Sequence, residues 1–123
     1  MSIKPLNLSA ATALMDRIDQ GIGGELRAIN VISQATISIQ ISVQDKARGF
    51  DWIDLIFQVN EVKDAKLVSD NLLTQLDCSE GITLDIASSY AAFALGEYKG
   101  RCEEASLYII GSSMGYDELP FSG

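Results

Sequence analysis

Apolar and polar residues alternate along the segment 35–44. The apolar positions are Ile37, Ile39, Ile41 and Val43, and the polar positions are Ser38, Gln40, Ser42 and Gln44. A period of two sends the side chains of one set to one face of a β-strand and those of the other set to the opposite face. The pattern predicts a strand with its apolar face in a core and its polar face toward water or a polar partner.

The next strand, predicted over 50–60, has a less regular outer face. Its odd positions from Ile53 to Val59 are apolar, whereas its even positions mix Trp52 and Ile56 with polar residues. Because large apolar side chains need cover, this strand is predicted to be central in a sheet or to lie under a helix. We expect either the N-terminal helix or a protein partner to cover Trp52 and Ile56.

A helix is predicted over 10–20, with Ser9 as its N-cap and Gly21 at its end. Its apolar face consists of Ala11, Leu14, Met15 and Ile18, at spacings of three and four.

Five further strands are predicted from short apolar runs between turn signals. They cover 25–32, 62–68, 82–87, 90–96 and 105–112. The segment 69–78 fits either a helical turn or the edge of a strand, and the tail 115–123 is expected to be flexible. The chain is therefore predicted to be a single domain, 1–123, of the mainly β (α+β) class. We expect an antiparallel β-sandwich or partly open barrel of about 6–8 strands, with one N-terminal helix packed on it.

Composition narrows the classes of partner. The chain has 123 residues, 47% of them hydrophobic, with a net charge of -8, which suits one globular domain. Its acidity disfavours nucleic acids and anionic membranes and favours a basic protein partner. We expect a cytoplasmic protein, because no signal peptide or membrane span is evident and Cys78 and Cys102 suggest free thiols.

Catalytic chemistry finds little support in the sequence. The chain has no histidine, which excludes the Ser-His-Asp and Cys-His arrangements and most zinc and copper sites. The glycines at 21, 23 and 24 follow a predicted helix and lack the lysine of a phosphate-binding loop. Asp51 and Asp54 are three residues apart on a strand and so lie on opposite faces. The sequence therefore predicts no catalytic, cofactor-binding or metal-binding residue.

Binding is the class that the sequence favours, and its candidate surface lies on the two alternating strands. Tryptophan is common at binding hot spots, so Trp52 and Ile56 are candidate anchors. The predicted interaction patch consists of Trp52, Ile56, Asp54, Ser38, Gln40 and Ser42. The first hypothesis is a non-enzymatic, small acidic binding module, such as an inhibitory or immunity-type bacterial protein. The alternatives are a homodimeric structural or assembly subunit, and a small-ligand-binding or carboxylate-based enzyme domain.

Overall fold

The computed structural model describes residues 3–73 and 75–121, which form two antiparallel sheets and one main helix. The strands are β1 (Lys4–Pro5), β2 (Glu25–Ser33), β3 (Thr36–Asp45), β4 (Asp51–Asn60), β5 (Asp64–Lys66), β6 (Ile82–Ala87), β7 (Tyr90–Leu95), β8 (Tyr108–Gly111) and β9 (Ser113–Pro120). The helices are α1 (Leu8–Arg17) and α2 (Asp70–Leu73). One sheet has the order β1-β9-β4-β3-β2 and the other β5-β8-β7-β6. The prediction of a mainly β sandwich is confirmed, and the sheets do not close into a barrel.

The strands β3 and β4 form the longest ladder of the sandwich. They pair without a bulge from Thr36 opposite Asn60 to Asp45 opposite Asp51. The apolar positions of both strands face the second sheet, where Phe57 of β4 meets Phe93 of β7 at a ring-centroid distance of 5.8 Å. The alternation in the sequence therefore identified the core face of both strands.

The helix α1 begins earlier than predicted and closes one side of the core. Asn7, rather than Ser9, is its N-cap, and its side chain accepts a hydrogen bond from the Ala10 N–H at 2.8 Å. The helix ends at Arg17, and a 3-10 turn follows over Asp19–Gly21. The predicted apolar face is buried in the core, and the helix packs on β6, in the second sheet. The expectation that this helix covers Trp52 is therefore wrong.

The segment predicted as a flexible tail contains a central strand. Residues 113–120 form β9, which pairs with β4 on one side and with β1 on the other. The prediction is thus wrong over 115–120, while residues 122 and 123 lie outside the described residues. β9 pairs with β4 from Ser113 to Pro120 and with β1 only at Gly115 and Tyr116, and this pairing compensates for the weak strand propensity of Gly115 and Pro120.

Other boundaries differ more modestly. The predicted strand 62–68 is shortened to β5, and the strand 105–112 to β8. The segment 69–78 contains the short helix α2. Nine strands are present in residues 3–73 and 75–121, against the six to eight predicted, because β1 and β9 were missed.

A cluster of charged side chains fastens α1 to the five-stranded sheet. Arg17 contacts the Asp45 carboxylate at 2.6 Å and the Glu118 carboxylate at 2.7 Å. Asp45 is fully buried and also accepts a hydrogen bond from the Ala47 N–H at 2.9 Å. The helix end is therefore held by the ends of β3 and β9 at once.

The far face of the four-stranded sheet is covered by the segment 96–107. Ala92 and Ala94 of β7 pack there against Cys102, Ala105 and Tyr108 in a small second cluster. The small alanine side chains allow the chain to approach the sheet closely. Both faces of the four-stranded sheet are therefore covered, and the outer face of the five-stranded sheet is the one available to a partner.

Candidate functional site

All six residues of the predicted patch lie on the outer face of the five-stranded sheet, the face directed away from the second sheet. The register places Ser42 beside Asp54 and Gln40 beside Ile56, and Trp52 lies opposite Gln44 at the end of the ladder. The alternation of β3 and β4 positions these side chains, because every second residue of each strand faces the same side. The structure thus brings the six residues together.

The centre of this outer face is a buried polar network. Asp54 is 1% exposed, and its carboxylate accepts hydrogen bonds from the Ser42 hydroxyl at 2.6 Å and the Gln40 amide at 3.0 Å. Ser42 and Ser38 are themselves buried. Of the two predicted environments, water or a polar partner, Ser42 has the polar partner, Asp54. The short side chains of both serines lie below the longer side chains of the neighbouring strands, and Ser42 bonds to Asp54 in place of solvent.

Two residues that the sequence analysis did not select complete the surface. The Trp52 ring lies 5.7 Å from the Phe121 ring, at an interplanar angle of 32°. The Arg27 guanidinium lies 5.7 Å from the centroid of the same Phe121 ring, at a distance typical of a cation–π contact. We call Trp52, Phe121 and Arg27 the aromatic–arginine patch. Its members come from β4, the end of β9 and β2, so the patch depends on the strand order.

The sequence contained no signal for these two contacts. Phe121 belongs to the segment 115–123, which was expected to be flexible, and Arg27 lies at a bulge between Leu26 and Ala28 of the edge strand β2. A bulge redirects a side chain and cannot be inferred from a regular alternation. Trp52 is half-buried, and in the described residues its aromatic partner is Phe121 rather than the predicted helix.

Ser42 and Asp54 lie at the polar centre of this face. Ser42 and Asp54 form a hydrogen-bonded pair, but the chain has no histidine to act as a base between them. Within residues 3–73 and 75–121, no group of three His, Cys, Asp or Glu residues is placed to hold a metal ion. The network fixes the side chains of Gln40, Ser42 and Asp54 on the face that also carries Trp52.

The two cysteines are structural in their environment. Cys78 and Cys102 are buried and are not joined in a disulfide. Burial raises the pKa of each thiol to about 11, and neighbouring carboxylates add to the effect. Because the thiolate is the nucleophile, both groups are poor candidates for thiol chemistry at neutral pH.

Two cavities lie on the other side of the molecule, next to α1. The first has a volume of about 460 Å³ and is bordered by Glu80, Glu97 and Lys99 over an apolar floor. The second has a volume of about 480 Å³ and lies beside the turn at Ser88. Both acids of the first cavity are exposed, so they form its charged rim.

The chain matches no protein-family model, and no curated protein or solved structure is significantly similar to it. In the described residues, no helix is long and apolar enough to cross a membrane.

Proposed function

We propose that this chain is a non-enzymatic protein-binding module and that the outer face of the five-stranded sheet is its binding surface. The observation that carries the proposal is the aromatic–arginine patch, in which three side chains of hot-spot character are partly exposed side by side. Tryptophan and arginine are enriched among the residues that supply most of the energy of protein interfaces.

The underlying network prepares this surface for binding. Asp54 is held by two hydrogen bonds from β3, and Trp52 and Phe121 restrict each other's rotation. A surface that is already ordered loses less conformational entropy when a partner binds. The hydrogen bonds and the ring contact favour an ordered binding surface over a chance grouping of exposed side chains.

Charge suggests the chemistry of the partner. The chain carries a net charge of -8, and Glu25 and Asp51 are exposed at the same end of the sheet as Trp52. A partner of opposite charge would associate with this acidic surface faster, and acidic partners would be repelled. We therefore infer a basic protein partner, as for an inhibitory or immunity-type protein, and not a nucleic acid or an anionic membrane. The unbonded cysteines support a place in the cytoplasm.

The experiment compares capture of a partner by the wild-type chain and by two variants. Trp52→Ala removes one of the two aromatic rings of the patch, whereas Leu72→Ala removes an exposed apolar side chain of α2, outside the patch. We expect a stoichiometric partner from a native lysate that dissociates at high salt, and whose affinity falls about thirtyfold in Trp52→Ala, the size of a hot-spot effect. Leu72→Ala should bind like the wild type.

Two outcomes would contradict the proposal. One is a partner that binds Trp52→Ala as tightly as the wild type while both remain folded by circular dichroism. The other is a concentration-dependent dimer in light scattering that Trp52→Ala converts to a monomer, which would favour the homodimeric assembly subunit instead.

A further inference from the structure

The strand β6 forms a free edge of the four-stranded sheet. Its described neighbour is β7 alone, and the Gly96 N–H donates to the Gly81 carbonyl at 2.8 Å at the start of this pairing. Hydrogen-bonded and non-hydrogen-bonded pairs alternate in an antiparallel ladder. The backbone groups of Ile82, Leu84 and Ile86 therefore point away from β7, toward the free edge.

A groove runs along this edge. Its first part, of about 460 Å³, lies between α1 and β6 and is lined by Ala11, Met15, Ile82 and Leu84, among others. Its second part, of about 480 Å³, continues past Ile86 and Ala87. Leu8 borders both parts, and we call the two together the β6 groove. Together the two parts border five of the six residues of β6, all but Asp85, and a six-residue extended strand is about 20 Å long.

The two ends of the β6 groove differ in charge. Glu80 and Glu97 border one end together with Lys99, which leaves one carboxylate in excess. The other end is bordered by Ser88, Ser89 and other uncharged residues. A bound chain with a basic residue at one end and neutral residues at the other would match this distribution.

We propose that the β6 groove binds an extended segment of a partner protein, which adds to β6 as a further strand and places a lysine or arginine beside Glu80 and Glu97. The unpaired N–H and C=O groups of β6 supply the main-chain hydrogen bonds of strand addition. The apolar floor receives alternate side chains of the segment. A second copy of this chain suits the groove less well, because it would bring another net charge of -8 to an acidic rim.

The test begins with a displayed library of random twelve-residue peptides, selected on the folded protein. Thr12→Trp places a large side chain at the groove wall, and Ala13→Trp is the matched control on the exposed side of the same helix. We expect enriched peptides with alternating apolar residues and a basic residue near one end. Their affinity should fall at least tenfold in Thr12→Trp and remain within twofold in Ala13→Trp.

Strand addition and charge are then tested on an enriched peptide. Methylation of its backbone nitrogens on the paired positions should abolish binding, whereas methylation on the alternate positions should not. Bound peptide should slow hydrogen exchange at the amides of Ile82, Leu84 and Ile86. Reversing both rim acids, Glu80→Lys with Glu97→Lys, should weaken binding about tenfold, as expected for lost charge complementarity.

Each contrary result overturns this inference. It fails if selection yields no peptides that distinguish Thr12→Trp from Ala13→Trp, or if methylation at either set of positions has the same effect. It also fails if only small molecules bind the groove. Because Trp52 does not border the β6 groove, Trp52→Ala should leave peptide affinity unchanged, so this inference and the proposed function fail separately.

Discussion

Replacing Asp45 with asparagine should lower the free energy of unfolding by about 2 kcal/mol. Asparagine keeps an oxygen for the Ala47 N–H but loses the charge that Arg17 contacts at 2.6 Å. Breaking a fully buried ion pair costs about 3–5 kcal/mol. The Arg17 side chain is 33% exposed and keeps its contact with Glu118 at 2.7 Å, so water and Glu118 offset part of that loss.

A double-mutant cycle isolates the interaction of Arg17 with Asp45. Urea denaturation of the wild type, Asp45→Asn, Arg17→Met and the double variant should give a coupling energy of about 2 kcal/mol. Glu118→Gln is the control, since its carboxylate is more exposed at 23%, and its coupling to Arg17 should be about 1 kcal/mol. A coupling of Arg17 with Asp45 below about 0.5 kcal/mol would refute the view that this pair fastens the helix.

The same pair predicts a dependence on pH. The hydrogen bond from Arg17 holds the pKa of Asp45 below its ordinary value. A carboxyl group with a lowered pKa in the folded state stabilises the fold above its unfolded pKa of about 3.9, and this stability is lost as the pH falls through the lowered value. The stability difference between the wild type and Asp45→Asn should therefore be constant from pH 7 to about 5 and shrink below about 4. A difference that grows on acidification would contradict the assignment.

Two further predictions concern buried thiols and a glycine. The thiols of Cys78 and Cys102 have pKa values of about 11, so at pH 8 they should react with an aromatic disulfide reagent only after the protein unfolds. Rapid reaction of the native protein would contradict this prediction and show that the thiols are accessible. Gly81→Ala should lower the free energy of unfolding by about 2 kcal/mol or more, because φ is +76° and the new Cβ would collide with the Gln20 carbonyl oxygen. Gly23→Ala is the control, because Gly23 has φ +81° but an added Cβ would meet no atom within 4 Å. In urea denaturation its free energy of unfolding should fall by about 1 kcal/mol. Equal decreases for Gly81→Ala and Gly23→Ala would exclude the collision as a cause.

The regular alternation along the chain predicted β3 and β4 well. One face is apolar from Ile37 to Val43 in β3 and from Ile53 to Val59 in β4, and a strand slipped by one residue would expose that face to water. The local sequence therefore determines the boundaries and register of both strands. The same holds for the apolar face of α1, although the competition between Ser9 and Asn7 for its N-cap depends on detailed backbone geometry.

The errors about the tail and about the neighbour of Trp52 have the same cause, which is that the strand β9 was not predicted. Gly115 and Pro120 weaken the strand signal of this segment, and its stability comes from pairing with β4 and β1, which are distant in sequence. Missing β9 also removed Phe121 from consideration as the neighbour of Trp52. The alternation thus placed the six candidate residues on one face of β3 and β4, while the aromatic–arginine patch depends on contacts that local patterns do not contain.

The position of β9 also affects how the chain reaches its folded state. Lys4 pairs with Tyr116, and β4 pairs with β9 across a long intervening segment, so the five-stranded sheet forms only after a large loop has closed. Sheets that depend on such distant pairings fold slowly, on a timescale of about milliseconds to seconds. Until β9 docks, one edge of β4 is unpaired beside Trp52 and Ile56, which favours aggregation. Substitutions that delay the docking of β9 should therefore reduce the yield of refolded protein more than their effect on equilibrium stability suggests.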